Sequence, residues 1–248
     1  MSDKVIATQA DGVLRLLLNR PEKKNALDRE SYLALIAALE AARRDDAIRA
    51  VVFAGAGGDF TAGNDLADFR DFTGALDEFP ALAFVRLLAA FEKPMVAAVT
   101  GDAIGVGATM LFHCDLIYAS ADARLRMPFI DLGLVPEAGA SLLVPRRFGM
   151  ARASELLLLG EAFSGAQAQQ LGLVNALVAP EEVEGCAMAA ARKLAAKPAA
   201  ALQATRRLMR GDPADVLARI DAEAQLFAKA LAAPEARARL AAFFAREN

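Results

Sequence analysis

The sequence predicts an α/β protein, and three observations carry that expectation. Through the first two thirds of the chain, short apolar runs rich in β-branched and aromatic residues alternate with stretches of helical periodicity. From about Glu181 the character changes to Ala, Leu, Arg and Glu, with breaks at Pro198, Pro213 and Pro234. The composition, 56% apolar and 24% charged over 248 residues, supplies a large core and excludes a disordered chain.

The elements follow in order. Val13 to Leu18 reads as a strand entered from the turn-like Asp11-Gly12. Asp28 is placed to cap a helix running to about Arg44, because Tyr32, Leu33, Leu35, Ile36 and Leu39 fall at helical spacing. Ile48 to Ala54, bounded by Gly55, reads as a buried strand. Met95 to Thr100, between Pro94 and Gly101, repeats the pattern. Leu116 to Ala119 and Leu125 to Met127 are further strand candidates. The prolines of the last third predict three or four helices with proline at or near the first turn. These features divide the chain into a core, 1–190, and a C-terminal helical region, 191–248, with no fixed-period repeat and no low-complexity linker.

Composition narrows the function classes. Lys plus Arg number 28 against 31 for Asp plus Glu, a net charge of −3, which gives no general affinity for nucleic acid or an anionic membrane. Two cysteines, Cys114 and Cys186, without a CxxC pair, exclude a disulfide framework. One histidine, His113, leaves little for a metal site or a Ser-His-Asp triad; at the end of an apolar helix it reads as structural. The uncharged run from Ala162 to Pro180 contains Ser164, three glutamines and Asn175, so it does not read as a membrane span. The start has no signal-peptide pattern and the end no peroxisomal signal, and a cytoplasmic protein is expected.

Two glycine-rich segments follow apolar strands: Gly55 to Gly63 and Gly101 to Gly107. Phe60 stands where a dinucleotide fingerprint needs its third glycine, and no GxxxxGK[ST] occurs. Each segment leads into a helix-compatible run. This geometry presents main-chain N–H groups, and two such groups converging would form an oxyanion hole.

Five blocks, in order, give these residues a family resemblance. They are Leu18-Asn19-Arg20-Pro21-Glu22-Lys23-Lys24-Asn25-Ala26-Leu27, Gly55 through Leu66, Gly101 through Gly107 with Cys114 through Ala119, Leu132 through Glu137, and Ala166 through Val174. The chain resembles the crotonase (enoyl-CoA hydratase/isomerase) superfamily. The resemblance implies a spiral of ββα turns, a C-terminal helical region used for trimer packing, and an acyl-CoA thioester bound as its enolate. The oxyanion donors it implies are the N–H groups of Asn64 and Val106. Many members carry Gly at the second position. Val106 keeps the N–H, while its side chain narrows or tilts the site.

Hydratases of this family use two glutamates to hold and activate water. At the matching positions this chain has Thr109 and, after Pro128, Phe129. Water addition needs one group to take a proton and one to deliver it, and both are replaced here. Glu137, after Val135-Pro136, resembles the single catalytic glutamate of the Δ3,Δ2-enoyl-CoA isomerases. Its apolar neighbours predict a raised pKa, as suits a base for an α-proton. A first-turn acid favoured by the helix dipole is the alternative reading of Glu137.

The resemblance also puts Lys24, Ala26, Ala62, Gly63, Asp65, Leu66, Gly105 and Phe129 at the CoA ester. Arg20 and Lys24 are candidates for the CoA phosphates, with surface ion pairing as the alternative. Caps and turns would equally explain Asp65 and Asp131, and Met127, Phe112 and Phe129 read as core or acyl-pocket wall. The expected activity is isomerisation of 3-enoyl-CoA to trans-2-enoyl-CoA by a homotrimer or dimer of trimers. No cofactor is expected beyond the CoA of the substrate, and neither nucleic acid nor membrane as partner. Alternatives are an enoyl-CoA hydratase, another enolate reaction of the family, and a catalytically silent acyl-CoA binder.

Overall fold

The computed structural model describes residues 3–71 and 78–247. In chain order the described strands are β1 (Val5–Ala10), β2 (Val13–Leu18), β3 (Ala50–Gly55), β4 (Met95–Val99), β5 (Asp102–Ile104), β6 (Leu116–Ala119), β7 (Arg124–Arg126), β8 (Phe163–Ser164) and β9 (Ala176–Leu177). The helices are α1 (Arg29–Arg44), α2 (Leu66–Asp71), α3 (Pro80–Ala90), α4 (Val106–Thr109), α5 (Ala140–Leu158), α6 (Gly165–Gln170), α7 (Val183–Ala195), α8 (Ala199–Arg210), α9 (Ala214–Ala232) and α10 (Pro234–Glu247).

One sheet has six strands in the order β1-β2-β3-β4-β6-β9, and a second has three, β5-β7-β8. β1 and β2 form an antiparallel hairpin, and β2 through β9 of the larger sheet run parallel. Two strands followed by a helix, repeated along the chain, give the ββα spiral of the crotonase fold.

The hairpin turn is Asp11-Gly12, both with positive φ, which matches the right-handed twist of the strands it joins. β1 itself is invisible to periodicity: only Val5 of its six residues is buried. β5, β8 and β9 are too short, at two or three residues, to show a period.

β3 and β4 are buried on both faces, hence their near-continuous apolar sequences. One face, with Val51, Phe53, Ala97 and Val99, packs under α1 and α3 in the main core. The other, with Ala50, Val52, Val96 and Ala98, meets Val183, Ala187 and Ala191 of α7, small residues that let the helix approach closely. Residue 190 lies within α7. The Asp28 carboxylate caps α1 as expected, accepting from the Ser31 N–H at 2.8 Å.

Pro198 and Pro213 cap α8 and α9, and Pro234 opens α10. The apolar residues of this region are partly consumed by the chain itself. Leu240 is buried, and Phe227 and Leu231 pack against the main core, whereas Leu226 is exposed. The Phe243 and Phe244 side chains lie outside the described residues. The most exposed apolar side chains of the region are Leu208 and Met209 of α8, at 86% and 81%. Among the described residues no helix is long and apolar enough to cross a membrane.

Candidate active site

The two glycine-rich segments lie side by side. Thr61 pairs with Ala103 in parallel, the Thr61 N–H donating to Asp102 O and the Ile104 N–H to Thr61 O, each at 2.9 Å. Asn64 and Val106 each lie three residues beyond this bridge on their own segment. Contact this close requires glycine. A Cβ on Gly63 would stand 2.5 Å from Ile104 O, and one on Gly107 2.6 Å from Thr61 Cγ2. Among the described residues, neither the Asn64 nor the Val106 N–H meets a protein acceptor. Val106 is the first residue of α4, where the helix has no internal acceptor for that N–H.

Asn25 buttresses the first segment. It is buried at positive φ, its amide donates to Ala56 O at 2.8 Å and Asp59 O at 2.7 Å, and its main-chain oxygen accepts from Thr61 Oγ1 at 2.7 Å. Tyr32 of α1 is also buried and donates its hydroxyl to Asn64 Oδ1. Burial, and behind it the charge of Glu137, push the Tyr32 hydroxyl well above its ordinary pKa, so it stays a donor.

Glu137 stands just before α5. The Thr109 hydroxyl donates to its Oε1 at 2.6 Å. Part of the residue remains accessible through the pocket, yet its carboxyl is packed densely enough that burial lifts its pKa to about 7. The Thr109 bond opposes that rise and the Glu223 charge adds to it. A carboxyl with that value is about half ionised at neutral pH and can both take and return a proton.

Asn64 and Glu137 line one pocket that opens to solvent. Its remaining wall is apolar: Phe79, Ala81, Leu82 and Val85 at α3, Ala138, and Ile220, Ala224 and Phe227 of α9. The chain matches the enoyl-CoA hydratase/isomerase family over residues 8–248. It belongs to that family. It is 38% identical over 205 residues to the 1,2-epoxyphenylacetyl-CoA isomerase of Escherichia coli K12, covering 80% of this chain and 78% of that one. It is 34% identical over 251 residues to the 2,3-dehydroadipyl-CoA hydratase of the same organism, covering 100% and 98%. OdaA of Pseudomonas aeruginosa shares the fold with a TM-score of 0.94 at 41% identity, covering 98% and 99% of the two chains. Enoyl-CoA hydratase/isomerase relatives of similar distance thus include an isomerase and a hydratase.

The residues that the family resemblance assigns to the CoA ester fall into two groups. Lys24 and Ala26 run beside Ala62, Gly63 and Asp65: the Ala62 N–H donates to Lys24 O at 2.8 Å, and Leu27, next to Ala26, pairs with Asn64. Leu66 opens α2 after Asp65, whose carboxylate meets Arg20 at 3.1 Å. Lys24 is exposed and its ammonium pairs with Asp102 at 2.8 Å. Gly105 precedes Val106 at positive φ, its N–H donating to Arg126 O at 2.9 Å. Phe129 belongs to the second group: it is buried in the core and is not part of the pocket wall.

Three contributors escaped the sequence reading. Asn25 lay inside a quoted motif, but its hydrogen bonds reach across the fold. Tyr32 read only as an apolar helix position. Glu223 carries no local signal at all. His113 is the structural residue expected: it is buried, burial pulls its pKa down to about 4, and its Nε2 bonds Ala138 O at 2.8 Å. A carbonyl only accepts, so Nε2 carries the proton. Among the described residues no group of His, Cys, Asp or Glu is arranged to hold a metal ion.

Proposed function

We propose that the protein is an enoyl-CoA isomerase that moves the double bond of a 3-enoyl-CoA to give the trans-2-enoyl-CoA. One observation carries the reading. Among the described residues the pocket wall has a single carboxylate, Glu137, with a pKa raised to about 7, while the two hydratase positions hold Thr109 and Phe129.

The thioester oxygen accepts from the N–H groups of Asn64 and Val106. Glu137 removes a proton from C2. The electron pair of that C–H bond delocalises through the adjacent C3=C4 bond and onto the thioester oxygen as a dienolate. The same carboxyl then delivers the proton to C4, the carbonyl re-forms, and the double bond is left between C2 and C3. One base suffices because the proton removed is the proton returned. Thr109 holds Oε1 and leaves Oε2 for the proton. The oxyanion donors act where charge develops and lower the barrier by about 3 kcal/mol each. The apolar wall from α3 and α9 suits an acyl chain, and the strip from Lys24 to Leu66 suits the CoA moiety.

Product analysis on 3-hexenoyl-CoA beside crotonyl-CoA tests this. Isomerisation at least about a hundredfold faster than hydration is expected, since no pair of carboxylates orients water. Comparable rates would favour the hydratase reading, and tight CoA-ester binding without turnover a silent binder. The working form is proposed to be a trimer or dimer of trimers. A sedimentation species of 26.2 kDa at micromolar concentration would exclude that.

A further inference from the structure

We propose that Glu223 of α9 is a positioning residue that holds the turn behind Glu137 and so sets the place of its carboxyl. This rests on the reading of Glu137 as the base.

Glu223 is 4% exposed, a costly location for a carboxylate. Both its oxygens are committed to the segment that follows Glu137. Oε2 accepts from the Gly139 N–H at 2.7 Å and Oε1 from the Ser141 N–H at 2.8 Å. α5 has no cap of its own at Gly139, so Glu223 supplies one from the other end of the chain. The main chain leaves Glu137 through two successive residues at positive φ, Ala138 at 59° and Gly139 at 74°. Alanine is rare there, and such a conformation persists only where neighbours impose it. The neighbours are His113, which bonds Ala138 O, and Glu223. With Thr109 on the carboxyl, Glu137 is held on three sides.

The same helix face does a second task. Ile220 and Phe227, three residues before and four after Glu223, line the pocket together with Ala224. The carboxylate is therefore carried by the element that meets the acyl chain. The titratable and charged groups facing Glu137 are Tyr32 of α1, which stays neutral, and Glu223, with Arg219 one turn away on α9. His113, also neutral, sits against Ala138. Burial is the main cause of the raised Glu137 pKa and the Glu223 charge adds to it, although burial raises the pKa of Glu223 as well; removing Glu223 should therefore lower that of Glu137.

The test uses Glu223→Gln and Glu223→Ala in the full chain. Turnover of 3-hexenoyl-CoA is measured against pH. The ionisation of Glu137 is followed separately by infrared difference spectra against the matching Glu137→Gln proteins. Glu223→Ala should lower kcat by about tenfold or more with KM changed less than about threefold. Glu223→Gln, which keeps one acceptor oxygen, should recover most of kcat. In both, Glu137 and the acid limb of the rate profile should titrate at lower pH. If Glu223→Ala does not fold, judged by circular dichroism, Glu223→Gln alone decides through its titration. Wild-type kcat and an unmoved Glu137 titration in a folded variant would overturn the proposal. Failure of the functional reading is a separate result: Glu137→Gln would retain turnover, while the infrared titration would still judge Glu223.

Discussion

The Asn64 side of the pocket rests mainly on main-chain pairing between two glycine-rich segments, braced by Asn25 and Tyr32, whereas the Glu137 side is held by side chains alone. On the first, a parallel bridge joins the two glycine-rich segments that carry the proposed N–H donors, and Gly63 and Gly107 permit the approach. On the second, Thr109 and His113 from one helical stretch and Glu223 from α9 fix one carboxyl and the turn behind it. A main-chain wall tolerates side-chain changes and fails when a donor is deleted or a Cβ intrudes. A side-chain wall can be tuned residue by residue.

The largest expected effect breaks the second wall at its centre. Glu137→Gln should lower isomerisation by about 10³-fold or more while CoA-ester binding stays within a few fold. The same variant probes the cost of holding the acid. The folded pKa of Glu137, about 7, lies above its ordinary 4.5. Its contribution to stability is therefore complete below the unfolded value and is lost as pH rises through 7. Glu137→Gln should accordingly be more stable than wild type at pH 8, by about 1–2 kcal/mol, with no such gain at pH 4. Thermal unfolding at the two pH values reads this directly.

The main-chain wall predicts a contrast at one position. Val106→Pro deletes the donor and should lower kcat by about 10²–10³-fold, with binding less affected. Val106→Gly keeps the N–H and should stay within a few fold. Circular dichroism must show that both fold, and equal turnover in the two would remove Val106 from the oxyanion hole. Next, Gly63→Ala places a Cβ against Ile104 O at a φ of +88°. It should cost about 2–4 kcal/mol, seen as a Tm fall of about 5–10 °C, and activity should fall even in the folded fraction.

The smallest effect sharpens the tuning side. The Thr109 hydroxyl stabilises the ionised form of Glu137. Thr109→Val should move the acid limb of the rate profile to higher pH. Turnover at pH 7 should drop by about two- to fivefold and recover by pH 9. A limb that stays in place would mean that the hydroxyl only fills space.

Much of the frame was legible because its signals are local. β2 and β6 have the limits that their apolar runs suggest, Asp28 caps α1, and prolines mark α8, α9 and α10. The segments carrying Asn64, Val106 and Glu137 were legible through their motifs. What stayed hidden depends on distance along the chain. Glu223 meets Gly139 across 84 residues, and nothing in its neighbourhood of alanines distinguishes it from a surface acid. Strand β1 was hidden for the opposite reason: an exposed edge has no buried side to give a period.

The face of α9 that lines the pocket and grips the α5 terminus makes substrate fit and reactivity one mechanical variable. If the pocket takes the acyl chain as proposed, a chain that presses on Ala224 or Phe227 would lean on the same rod that holds the turn behind Glu137. Redesigning the pocket for a longer chain would therefore shift the rate optimum along with the preference. Directed evolution of the two properties would have to select them as a pair.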